Sequence, residues 1–364
     1  MRLRSLRYSI AFTGPLLACW GLSSTGFACW ALPFYAFVLI PLVELFVRPS
    51  HVLLSEEEER AALAEPMYDV LLILFVPIQW GLLVYFLFNI TDPTLSNWDL
   101  GGRITSMGLM CGVYGINIAH ELGHRSTRWE RNLARCLLLS SMYMHFIIEH
   151  NRGHHRHVGT PEDPASARFG ENIYVFWLRT LTFSFLSAWR IEKERMRKEN
   201  KAVYGVHNEM IRSLVIEIGL ITAIVLIFGA KASLSFLGAA AIGILLLETV
   251  NYIEHYGLGR MRNERGNYGR VQPVHSWNSD HLLGRLMLFE LTRHSDHHYM
   301  ASRKYQVLRS NIHGPQLPTG YPGMMILSLF PALWFRLMDP LIKRLAESHS
   351  ALTFAGGRKT RITL

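Results

Sequence analysis

VLLILFVPIQWGLLVYFLFNI, residues 70–90, runs for 21 positions without a charged side chain. About 20 apolar residues in a helix cross the hydrocarbon core of a bilayer. Only a helix or a closed barrel satisfies its own backbone hydrogen bonds there. The stretch therefore reads as a transmembrane helix, and the chain as an integral membrane protein. The flanking sequence repeats the pattern. Phe12 to Val43 is uncharged, and Glu44 is the only charge before Arg48. That run is too long for one crossing, and Ser23-Ser24-Thr25-Gly26 marks the turn of a helical hairpin. A polar connector follows, with SEEEER at 55–60 read as a solvated helix. After residue 90 a short loop, TDPTLSNWDLGG, leads to Ile104–Ala119, which runs directly into His120. Leu214–Gly229 and Ala232–Leu247 form a further hairpin broken at Gly229–Ser233. Its first limb carries Glu217, and its second continues through Glu248 and Asn251 to His255.

The expected fold is an all-α integral membrane protein, one domain over 1–364, with six transmembrane helices in three hairpins. The spans fall at about 10–28, 31–47, 70–90, 102–119, 213–230 and 232–254. Histidine-bearing segments 120–212 and 255–320 then lie on one side with both termini. All but two of the 37 Lys and Arg residues fall on that side, the exceptions being Arg103 and Lys231. The positive-inside rule makes that side cytoplasmic. The net charge of +9 reads the same way, as topology and contact with lipid headgroups, with no nucleic-acid partner implied. The opening MRLRSLRYSI reads as a cytoplasmic anchor. Ile173–Trp189, containing Arg179, and Tyr321–Leu337, containing Pro322, Pro331 and Arg336, read as helices lying at the cytoplasmic interface. Leu133–Ile148 reads as a buried helix. Cys19, Cys29, Cys111 and Cys136 form no C-x-x-C pair and read as small buried apolar residues.

Histidines supply the chemistry. EHNRGHH, residues 149–155, holds three within six positions. On an α-helix His150 and His154 share a face, with His155 offset by about a hundred degrees, an arrangement suited to wrapping a metal. HELGH adds His120 and His124, NYIEHYG adds His255, and RHSDHH adds His294, His297 and His298. HELGH alone is a weak signal, one residue short of the zinc-protease spacing. Together the nine imidazoles exceed what one ion accepts, so two metals are implied. Imidazole suits iron, copper, nickel and zinc alike, and the ligand type does not choose among them. Glu121, Glu149, Glu254 and Asp296, each beside a histidine, are candidates for accepting imidazole N–H bonds from behind.

HELGH, EHNRGHHRHVGTPEDPASAR, NYIEHYGLGR and LTRHSDHH together resemble the bacterial alkane 1-monooxygenases. These are membrane-bound non-haem di-iron hydroxylases of the histidine-rich superfamily that includes fatty acid desaturases and xylene monooxygenase. The resemblance covers most of the chain. NYIEHYG separates it from desaturases, which use HxxxxH, HxxHH and HxxHH boxes. The resemblance implies that the nine histidines hold two Fe ions, with O2 as co-substrate. It also implies terminal hydroxylation of medium- to long-chain n-alkanes taken from the bilayer. His275 and Asn278, in HSWN, match a further family motif and stand as supporting residues outside the ligand set. No C-x-x-C follows Tyr321, so a fused rubredoxin is not expected. The implied electron donor is a separate rubredoxin with its NAD(P)H-dependent reductase. The Phe34–Phe46 and Val70–Ile90 stretches are the candidate lining of an alkane channel. Competing readings are a methyl-aromatic hydroxylase like xylene monooxygenase, an acyl desaturase, and a metal transporter. A transporter would place its ligands at mid-membrane, not at cytoplasmic helix ends.

Overall fold

The computed structural model of the chain describes residues 2–312, 314–348 and 352–354. Helices dominate, and the single sheet among these residues is an antiparallel ribbon pairing Leu258–Arg260 with Leu352–Phe354. The opening helical run over 2–23 passes through a 3-10 segment at Leu6–Phe12. It reverses at Ser24 and Thr25, both extended, into Gly26–Phe46. The reversal is held from the next loop: Gly26 N–H donates to Asp99 Oδ1 at 2.6 Å, and Arg103 donates to the Ser24 carbonyl at 2.9 Å. SEEEER folds as expected into the helix Glu56–Ala64, started by a reciprocal cap between Ser55 and Glu58.

Among the described residues, three helices are long and apolar enough to cross a membrane: Gly26–Phe46, Met67–Ile90 and Glu209–His255. Their outward faces leave large apolar side chains uncovered, with Phe46 87%, Phe88 65% and Leu226 80% exposed. Water would not tolerate so much continuous apolar surface, and lipid would cover it. The helix Glu209–His255 is interrupted only at Gly229 (φ 83°, ψ 175°), a conformation open essentially to glycine alone. Its two limbs fold back on each other. Glu217 Oε1 accepts the Met144 N–H at 2.8 Å, and Glu248 Oε1 accepts the adjacent Tyr143 hydroxyl at 2.9 Å. The break expected over Gly229–Ser233 is thus confined to one residue.

Between these elements lies the helical run 97–123, buried along most of its length. It packs with its backbone against the second limb of Glu209–His255. A Cβ added to Gly243 would lie 2.9 Å from Gly112 N and 3.0 Å from the Gly108 carbonyl oxygen. Small residues allow such close approach between helices in membranes. This contact delivers His120 and His255, at the ends of the two helices, into one space.

Two expectations need correction. Leu133–Ile148 is not one helix. Arg128–Leu139 stops, Met142 takes a positive φ of 54°, and helix resumes at Phe146. The turn brings the Met144 N–H to Glu217. Tyr321–Leu337 is likewise two helices, Tyr321–Ser328 and Pro331–Ser348, because Pro331 has no N–H to continue the ladder. Ile173–Lys198 is continuous, and Arg179 turns inward to pair with Glu171 at 2.7 Å. Tyr252, Tyr256 and Trp334 fill a second core beneath these helices, ringed by edge-to-face and tilted contacts.

Candidate metal centre

All nine sequence-predicted histidines converge, and they do so in two groups. His120, His124, His150, His155 and His297 form one, and His154, His255, His294 and His298 the other. Within each group every ligand atom lies within 4.8 Å of the rest. His124 and His155 are partly exposed and the other seven are buried.

The division corrects the helical reading of EHNRGHH. His150–His154 is wound as a π-helix. The wider turn aligns residues five apart instead of four, so His150 shares its group with His155, and His154 is turned to the other. The last cluster divides in ordinary α-helical fashion: His294 and His298, four apart, serve one group, and His297 serves the five-membered one.

The spacing of the ring nitrogens tests what they fit. In the five-membered group, His120–His297, His297–His155, His155–His150 and His150–His124 place Nε2 atoms 2.9, 3.1, 3.0 and 3.2 Å apart. In the four-membered group the separations are 2.8 Å for His294–His298, 3.2 Å for His154–His298 and 3.1 Å for His255–His294. Metal–nitrogen bonds of about 2.1 Å put neighbouring ligands about 3.0 Å apart at right angles and about 3.4 Å apart in a tetrahedron. The observed edges match the right-angled case. Each group could therefore hold one metal ion, the first through five imidazoles and the second through four.

Burial keeps the rings other than His154 neutral. His120, His150, His155, His294, His297 and His298 are pushed well below the ordinary histidine value by burial, and His124 to about 4. Their lone pairs are therefore free at neutral pH for a cation rather than a proton.

An apolar cavity lies among the helices that carry the histidines. Leu32, Phe37 and Ile40 line it from the second helix, with Val113, Leu247 and Leu291 opposite. The Phe34–Phe46 stretch expected to line such a channel does contribute. No residue of Val70–Ile90 does, because that helix packs its inner face into the core, Phe75 stacking on both Phe12 and Tyr114. Asn117, one turn before His120, and Tyr321 also line the cavity. Tyr321 donates its hydroxyl to Glu254 Oε1 at 2.8 Å, and Glu254 Oε2 lies 3.2 Å from His294 Nε2. The polar groups on the wall are already engaged: Asn117 with the Leu288 carbonyl, Tyr114 with the Ala11 carbonyl.

The profile of the fatty acid desaturase family matches residues 97–327. Alkane 1-monooxygenase 2 of Pseudomonas aeruginosa is 41% identical over 318 residues, covering 86% of this chain and 84% of that one. Alkane 1-monooxygenase of Ectopseudomonas oleovorans is 37% identical, covering 90% of this chain and 82% of its own. This chain belongs to the alkane 1-monooxygenase family. The hydroxylase component of xylene/toluene monooxygenase from Pseudomonas putida is more distant, 27% identical over 71% of this chain and 69% of that one.

Within this family member, the candidate supporting residues do different work. Glu254 is the one of the four carboxylates placed against an imidazole of the set, and it meets the ring at Nε2, the cluster side, rather than from behind. Glu121 instead accepts the Tyr305 N–H and pairs with Arg125 at 2.9 Å. Asp296 pairs with Arg303 and accepts the Arg309 N–H. Glu149 is buried against Ser187. Neighbours of a ligand in a helix point about a hundred degrees away from it, which explains these departures. The HSWN residues act through backbone. The His275 main chain hydrogen-bonds the His255 ring, and Asn278 Oδ1 accepts the Ser295 N–H, fixing the start of His294–Tyr299.

Asp163 was not legible as a supporting residue. It is fully buried and accepts from His154 Nδ1 at 2.9 Å, from the Ser166 hydroxyl and from the Ala165 N–H. Burial opposes a charge on His154, yet its pKa is raised because Asp163, Glu149 and Glu248 together outweigh that penalty. The only sequence cue is a pair of acids, Glu162 and Asp163, in a loop bounded by Pro161 and Pro164.

Proposed function

We propose that this protein hydroxylates the terminal carbon of n-alkanes, taking one atom of O2 into a primary alcohol and releasing the other as water. Two electrons and two protons balance the reaction. The observation that carries the reading is an apolar cavity whose wall includes Asn117, one helical turn before His120, and Tyr321, which reaches His294 through Glu254. The nine histidines would hold two iron ions, which when bound supply the activation of O2 that a strong aliphatic C–H bond demands.

The chain's own residues bind, aim and exclude water. A hydrocarbon offers no polar handle, so a wall whose polar groups are already paired binds it without leaving any of them newly unsatisfied. An apolar cavity linked to the centre through Tyr321 and Glu254 would hold the hydrocarbon chain with one terminus toward the histidines. Tyr321 and Glu254 form a hydrogen-bonded pair from the cavity wall to His294, suited to holding a proton there.

Six spans in three hairpins, with both termini and the centre on the cytoplasmic face of a bacterial inner membrane, complete the proposal. The three long apolar helices and the basic bias of one side support it. The electron donor would be a separate rubredoxin with its NAD(P)H-dependent reductase. The test is co-expression with both, feeding n-octane, n-hexadecane and m-xylene together and identifying products by mass spectrometry. Primary alkanols that vanish without rubredoxin are expected. Methylbenzyl alcohol alone would replace the substrate class with that of the xylene/toluene relative.

A further inference from the structure

Away from the histidines, a second cavity lies where the N-terminal helix, the connector after Phe46 and the segment 282–306 meet. Arginines dominate its wall: Arg4, Arg7, Arg285 and Arg293, against the single acid Glu290. Two of these are committed. Arg285 pairs with Glu290 at 2.7 Å and donates to the Ser50 carbonyl. Arg293 pairs with Asp280 and donates to the Leu308 and Val52 carbonyls. Glu290 is saturated as well, since it also accepts the Tyr8 hydroxyl. Arg4 reaches Glu58 at 3.3 Å. Arg7 is exposed and has no ion pair among the described residues.

Gln306 is the anomaly. The residue is 7% exposed, lines this cavity, and neither its amide oxygen nor its amide nitrogen has a hydrogen-bond partner among the described residues. A buried amide without partners is destabilising, so the position makes sense when something polar enters. What enters must suit an excess of positive charge on one side and Val52, Leu54 and Leu286 on the other.

We propose that this cavity binds a phosphate group, and that its source is the headgroup of an anionic phospholipid. The Arg7 guanidinium and the Gln306 amide N–H would donate to phosphate oxygens, and the apolar wall would lie along the first carbons of an acyl chain. The lipid source rests on the topology proposed above. Tyr8 and Tyr68 immediately precede two proposed spans, which sets the cavity at the cytoplasmic leaflet. The phosphate chemistry does not depend on that topology. Arg293 directly precedes His294, so a lipid seated here would brace the element that carries three of the nine histidines.

The test uses the full chain, iron-loaded, in nanodiscs of phosphatidylcholine alone, phosphatidylcholine with phosphatidylglycerol, and phosphatidylcholine with added inorganic phosphate. Thermal unfolding midpoint and lipid retained in native mass spectrometry are read. Phosphatidylglycerol should raise the midpoint and stay bound. Arg7→Gln should weaken that retention about fivefold. Gln306→Met should weaken it too while leaving net charge unchanged, which general attraction to an anionic bilayer would not do. Protection by inorganic phosphate with the same dependence on Arg7 and Gln306 would uphold the phosphate site and overturn the lipid source. No preference for either anion, or a preference that both variants keep in full, would overturn the site altogether. None of these outcomes depends on alkane turnover.

Discussion

Replacing Asp163 with asparagine should selectively loosen one of the two metal positions. The two oxygens of Asp163 accept three hydrogen bonds: Oδ2 from His154 Nδ1 and the Ser166 hydroxyl, Oδ1 from the Ala165 N–H. Asparagine has only one acceptor oxygen. With that oxygen toward His154, its NH2 confronts the Ala165 N–H, donor against donor. Flipped, the NH2 faces His154 Nδ1, draws the lone pair there and moves the ring proton to Nε2, the atom that meets the metal. Either orientation weakens the ligand. Losing such a hydrogen-bonded partner typically lowers metal affinity 10- to 100-fold, or about 1.4–2.7 kcal/mol. His154 belongs to the four-membered group, so the loss should fall there and spare the five-membered one. With two irons per chain as proposed above, titrating purified Asp163→Asn with an iron chelator should remove one iron well before the second leaves, and activity should follow the first loss. Equal resistance of both irons, at the wild-type chelator concentration, would refute the assignment of Asp163 to His154.

Other perturbations follow from the same geometry. The metal-free protein should lose stability on acidification between about pH 6.5 and pH 4. Buried imidazoles with depressed pKa values contribute fully above the ordinary value and lose that contribution as pH falls through the folded one, about 4 for His124. Each such ring adds a slope of up to about 1.4 kcal/mol per pH unit, and a flat urea midpoint across that range would count against neutral rings. Gly243→Ala would force a methyl group within 3.0 Å of backbone on the helix 97–123. A destabilisation of about 1–3 kcal/mol is expected, visible as a lower inactivation temperature; an unchanged one would mean the helices are further apart. Val113→Trp should fill the cavity and cut turnover of hexadecane more than that of octane. Equal loss on both substrates would remove the cavity from the alkane path.

The sequence disclosed its histidines because metal chemistry demands a rare residue at close spacing. It disclosed its apolar helices because lipid demands long uncharged runs. What it hid depends on winding and on which way a face turns. EHNRGHH has the i, i+4 spacing of an α-helix, and only the π-turn shows that His150 and His154 part company. Glu121 and Asp296 adjoin ligands in sequence and point elsewhere, whereas Asp163 lies in a loop to which no helical period applies. Val70–Ile90 is apolar all round, so nothing in its sequence tells a core-packing face from a channel wall. Tertiary packing decided that.

His154 and His155 are consecutive, yet they face different groups. Any two ions held there would be tied to α-carbons about 3.8 Å apart across one rigid peptide bond. That bond acts as a ruler for the two backbone anchors, and the imidazole side chains set the remaining gap. One extra residue inserted between the two histidines would reset the ruler and leave both pockets mis-registered at once.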